Sequence, residues 1–202
     1  MGIFDDMFGA PDPTRHWKET PGLVPDFDFS AHALCGAKLG DPARFLEKVG
    51  RCEDQAAAKE GEFRWYTKGF AVDVDAFVVT AYIIHFNDDR GESYHPFTGT
   101  CLFEGRTVAL STATTENDFV RIFGAPYWRD LGEVTPPRQS TASSVGGDRE
   151  EVILFYEFGA IEWQVEFTSD RTLRLVLVLT PPMLADEEQR ATYKVDKPWP
   201  PR

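Results

Sequence analysis

The sequence predicts an α+β fold made of two pseudo-symmetric repeats, each a short helix packed on an antiparallel sheet. Three observations carry this reading. A helix end closed by glycine occurs twice, as Phe45-Leu-Glu-Lys-Val-Gly50 and Phe119-Val-Arg-Ile-Phe-Gly124. An aromatic segment closed by glycine also occurs twice, as Trp65-Tyr-Thr-Lys-Gly69 and Phe155-Tyr-Glu-Phe-Gly159. Strand-length runs rich in β-branched residues then follow each aromatic segment.

Residues 1–25 read as a flexible arm punctuated by Pro11, Pro13, Pro21 and Pro25. Ile3, Phe4, Met7 and Phe8 within it have the spacing of a short amphipathic turn. Residues 26–96 form the first repeat. It opens with a weak hairpin over 27–39 around Gly36. A helix follows, starting at Asp41-Pro42 and ending at Gly50, because proline suits a first helical turn. Strands over 65–70, 71–76 and 77–86 complete it. Residues 97–182 form the second repeat. Strands 97–103 and 106–110 make a hairpin through Glu104-Gly105. Thr114 and Thr115 cap the next helix, with Glu116 and Asp118 in its first turn. Strands over 155–160, 161–167 and 173–180 follow.

The repeats differ in one interval. From helix-ending glycine to first aromatic is 15 residues in the first and 31 in the second. The extra length, 135–147, is polar, lacks periodicity and reads as a mobile loop. Residues 183–202 read as a C-terminal helix and a proline-rich tail. Asp186, Glu187 and Glu188 lie early and Arg190 and Lys194 late, as the helix dipole prefers.

Alternation assigns the strand faces. Ile161, Trp163, Val165 and Phe167 oppose Glu162, Gln164 and Glu166. Val72 and Val74 oppose Asp73 and Asp75. The apolar sets are expected to bury against Phe45, Leu46, Val49, Phe119, Ile122 and Phe123. The acids are expected on an open outer face.

The short segment Thr115-Glu-Asn-Asp-Phe-Val-Arg-Ile-Phe-Gly-Ala-Pro126 resembles that of small outer-membrane-assembly lipoproteins of the SmpA/OmlA type. The tandem arrangement, over roughly residues 30 to 180, resembles β-lactamase inhibitor protein. That likeness implies a curved sheet whose face grips another protein. The lipoprotein signal and lipidated cysteine of the first group are absent here, and the membrane role is not carried over.

Composition narrows the partners. The net charge of −12 disfavours nucleic acid and anionic membranes and suits a basic protein. No apolar run approaches the roughly 18 residues of a membrane helix, and the N-terminus lacks a secretory pattern. A cytoplasmic location is expected. Cys35, Cys52 and Cys101 lack any C-x-x-C spacing and read as apolar fillers.

No motif carries a reaction, so no catalytic residue, metal ligand or cofactor is assigned. His85, Asp88, Asp89, Glu92 and His95 are dense in carboxylate and imidazole, but Asn87-Asp-Asp-Arg-Gly91 reads as a turn leaving a strand. Tyr127 and Trp128, with Asp130, are expected in a loop as binding anchors; the alternative is that one ring caps the core. Trp199 reads as a recognition segment or as a tail folding back. The expected function is a cytoplasmic protein-binding module, of inhibitor or immunity type, meeting a basic partner through Asp73, Asp75, Glu162 and Glu166. Two alternatives stand beside it. One is a small-molecule binder or enzyme with a pocket between the repeats; the other is a subunit of a homo-oligomer.

Overall fold

The valine-, isoleucine- and aromatic-rich runs pair into strands because their branched and planar side chains pack well on a pleated surface. The structure, a computed structural model, describes residues 12–88, 91–131 and 152–199. The expected loop 135–147 and the apolar turn at residues 3–8 lie outside the described residues.

In chain order the strands are β1 (Asp26–Asp28), β2 (Ala33–Leu34), β3 (Ala37–Lys38), β4 (Glu62–Trp65), β5 (Phe70–Asp75) and β6 (Val78–His85). Then come β7 (Thr100–Phe103), β8 (Arg106–Val108), β9 (Trp128–Asp130), β10 (Val152–Glu157), β11 (Glu162–Phe167) and β12 (Leu173–Leu179). Helices are few: α1 (Gln55–Lys59), α2 (Glu116–Phe123) and α3 (Glu187–Thr192), with short 3₁₀ segments between. The fold is α+β, with two sheets dominated by antiparallel pairs.

The larger sheet has the order β4-β5-β6-β12-β11-β10-β9 and is antiparallel throughout. The smaller has the order β3-β2-β1-β7-β8, and β1 runs parallel to β7. That parallel pair ties the hairpin at 97–110 to the 27–39 segment. The core lies against the inner face of the larger sheet. Phe63, Trp65, Phe70, Val72, Tyr82, Ile84, Trp163, Val165, Val176 and Val178 all belong to it and are buried. Phe29 from the smaller sheet meets Trp163 edge-on at 5.2 Å, and Tyr82 donates to the Ala37 carbonyl at 2.6 Å.

Three expectations are corrected, and one element is additional to them. Residues 12–25 are anchored, not a free arm: Thr14 is fully buried and bonds Cys52 Sγ, and Trp17 packs on Phe63 and Trp65. The first predicted helix is a 3₁₀ segment, Ala43–Val49, and Asp41, ahead of it, turns back to accept from Lys38 N–H. With three residues per turn, Ala43, Leu46 and Val49 share the buried face and Phe45 is left 49% exposed. The predicted loop at Tyr127-Trp128 is instead edge strand β9 from Trp128 onward, paired to β10. Finally, α1 was not foreseen; the Asp54 side chain caps it by accepting from Ala56 and Ala57.

Candidate functional site

The outer face of the larger sheet divides into a covered half and an open half. Over β10 and β11 the C-terminal segment folds back as a strap. Leu184 is fully buried there, Tyr193 meets Phe155 at 5.2 Å, and Trp199 donates to the Gly159 carbonyl at 3.1 Å. Tyr127 bonds the carbonyls of Lys197 and Pro198, so its ring and hydroxyl are engaged by the chain's own tail.

The strap changes the role of one predicted acid. Glu162 does face away from Trp163, as alternation requires, but it is 0% exposed. Its carboxylate accepts from Leu184 N–H and from Gln164. Burial pushes its pKa up, with those two bonds acting the other way. The outer face is therefore not open at Glu162.

Over β4, β5, β6 and β12 the described residues leave the face open around a cleft of about 430 Å³. Its floor is apolar. Ala71, Ile83 and Leu177 lie on one register line across β5, β6 and β12, and Leu175 adjoins them. Acids stand at the margins: Glu62 and Asp73, which pair across β4 and β5, and Glu92 and Glu166 on the far side. Tyr94 stacks flat on His85, with centroids 3.7 Å apart, and leans on Tyr66 at 4.7 Å.

The cations of this region are already committed. The Arg64 guanidinium bonds Glu62 and Tyr66 Oη, and lies 3.7 Å from Asp54. Arg174, 3% exposed, bonds Glu166 and reaches Glu92 at 3.5 Å. His85 is buried, and desolvation together with Arg174 draws its pKa down to about 4, so it is neutral at pH 7. Asp73 is half-buried, and among the described residues its carboxylate accepts no hydrogen bond. Burial and the neighbouring Glu62 push its pKa up, against the opposing pull of Arg64.

The predicted site residues thus separate. Asp73 and Glu166 share the cleft. Asp75 is exposed at the tip of the β5–β6 hairpin, beside a smaller hollow of about 280 Å³. Tyr127, Trp128 and Asp130 lie at the far edge by the strap. Sequence reasoning missed Arg64, Tyr66, Tyr94 and Arg174, whose meeting depends on sheet order and left no local signal. It also missed Phe77, 75% exposed at the hairpin tip with φ +67°, next to Ala76 at +47°. Asp88 accepts from the amides of Glu92 and Ser93, as a turn residue does. Among the described residues, no group of three or more His, Cys, Asp or Glu side chains is placed to hold a metal. No described helix is long and apolar enough to cross a membrane.

Fold and cleft together define an α+β protein with a recess on one sheet face. No protein-family model matches the chain. No curated protein matches it. Among solved structures, a DUF4309 family protein (YjgB) from Bacillus subtilis subsp. subtilis str. 168 is similar at TM-score 0.38 and 11% identity, over 67% of this chain and 74% of that one.

Proposed function

We propose that the protein is a binding module that captures a basic protein partner on the outer face of its larger sheet. One observation carries the reading: a recess with an apolar floor, four marginal acids and an Asp73 carboxylate that has no donor among the described residues. A desolvated acid of this kind gains most when an external cation replaces lost water. The chain's net charge of −12 supports electrostatic steering of such a partner. Three buried, unpaired thiols suit a reducing cytoplasm.

The reading includes the two-repeat organisation. In its support, the order β4-β5-β6 is mirrored by β12-β11-β10 about the β6–β12 seam. In both halves a core aromatic bonds the helix-ending glycine carbonyl, Trp65 to Gly50 and Tyr156 to Gly124. The cleft lies across that seam. This position, and a volume within the roughly 300–1,000 Å³ usual for small-molecule sites, favours a second reading as a small-molecule binder.

The test is affinity capture of the tagged chain from lysate of its own organism at low and high salt. The proposal expects one basic protein in stoichiometric amount at low salt, lost at high salt and lost with Asp73→Lys. Recovery of no partner, or only of further copies of the chain, overturns it and directs attention to metabolite screening.

A further inference from the structure

We infer that the cleft is a socket for one basic side chain of the partner polypeptide, an ammonium or guanidinium on an unbranched aliphatic stem, with Asp73 receiving the cation. This rests on the partner-binding reading of the same cleft and adds the group it accepts.

The hydrogen bonding of the lining argues for an external cation at Asp73. Glu62 is bonded by Arg64, and Glu166 and Glu92 share Arg174. Asp73 is the lining carboxylate left without a donor among the described residues. His85 lines the same recess, is 4% exposed and is neutral, so it supplies no internal counter-charge. The guanidinium of Arg64 acts on Asp73 only through space while its own donors go to Glu62 and Tyr66.

The shape argues for an aliphatic stem behind the cation. Ala71 precedes Asp73 by two residues on the same face of β5, about 7 Å along the strand. Ile83 and Leu177 continue that apolar line across the sheet. A lysine or arginine stem lying on this floor covers apolar surface while its head reaches the acid, the amphipathic use typical of these side chains. Tyr94 and Tyr66 pack against each other in the wall of the same recess, and aromatic faces are favourable for a cation.

The surroundings argue for a polypeptide as the source of the cation, not a free amine. The same β5–β6 hairpin carries Asp73 and ends in Phe77, 75% exposed, followed by Val78, 38% exposed. A free amine would use none of this surface. A protein surface extending beyond the socket would cover it.

The experiment follows the backbone amide spectrum of the full 202-residue chain. Three probes are titrated: an end-capped Gly-Gly-Lys-Gly-Gly peptide, the same peptide with acetyl-lysine, and 1,5-diaminopentane. The lysine peptide is expected to shift Ala71, Asp73, Ile83 and Tyr94, and acetylation to weaken it about tenfold or more. Asp73→Asn, which keeps the side-chain shape and a dispersed folded spectrum, should weaken it equally. Equal binding of both peptides, binding unchanged in Asp73→Asn, or shifts mapping to another face overturns the inference. So does diaminopentane binding more tightly than the peptide, which would assign a free amine. If the peptide fails but Asp73→Lys still abolishes partner capture, only the side-chain assignment falls. If both fail, the partner-binding reading falls with it.

Discussion

Asp73 and Glu162 stand on the same face of one sheet, and their surroundings give them opposite roles. Glu162 is sealed beneath the strap and bonded by Leu184 and Gln164, so it fastens the tail. Removing it orphans a buried amide. Glu162→Ala should cost about 1–3 kcal/mol, while Asp75→Ala, at an exposed position, should stay within about 0.5 kcal/mol; urea unfolding of the two variants checks the contrast. His85 gives a prediction in pH. Its folded pKa of about 4 lies below its ordinary 6.5. Between those values the unfolded chain binds a proton that the folded chain refuses, so this group's contribution to stability is lost as pH falls through that window. His85→Phe keeps a ring beneath Tyr94 but cannot titrate. Compared with this variant, the wild type should lose about 3 kcal/mol from pH 7 to pH 4. Unfolding midpoints at both pH values measure it. Asp73 and Glu162, whose pKa values are raised, act in the opposite sense in both proteins and so drop out of the comparison.

At the scale of elements, the two helix-ending glycines show what sequence can and cannot reveal. A glycine that closes a helix commonly takes the left-handed helical conformation. Instead Gly50 has φ 91°, ψ 177° and Gly124 has φ 88°, ψ −175°, a region almost restricted to glycine. The requirement for glycine was legible because it is local; the dihedral was not. A Cβ at Gly124 would meet nothing within 4 Å, so Gly124→Ala should report backbone strain alone, about 1–3 kcal/mol. At Gly50 a Cβ would sit 2.9 Å from Glu19 Cβ, so Gly50→Ala should cost more. Thermal unfolding of the pair orders them. The strands at 71–76, 77–86, 161–167 and 173–180 were readable from alternation and β-branching, which are also local. The cleft was not. His85, Glu92 and Arg174 meet through the β6–β12 pairing, and no window of sequence records which strands become neighbours. Alternation placed Glu162 on the correct face but could not show that residues 183–199 return to cover it.

At the scale of the molecule, one continuous sheet carries both the open cleft and the half covered by the strap. Because β6 pairs with β12 at its centre, the chain should unfold as a single cooperative unit. The strap bears on β10 and β11, whereas the cleft floor is set by β5, β6 and β12. Leu184 fills its place on the covered half completely. Leu184→Ala should therefore lower stability by about 2–5 kcal/mol and yet leave affinity for a basic probe unchanged. The two readouts separate the halves physically. Had the strap served to shape the cleft, affinity and stability would fall together. Had it served to occlude a wider binding face, affinity would rise as stability fell. Unchanged affinity in a destabilised but folded variant, measured by urea unfolding and by titration with the lysine peptide, would place the strap's work in the fold and leave recognition to the open half around Asp73.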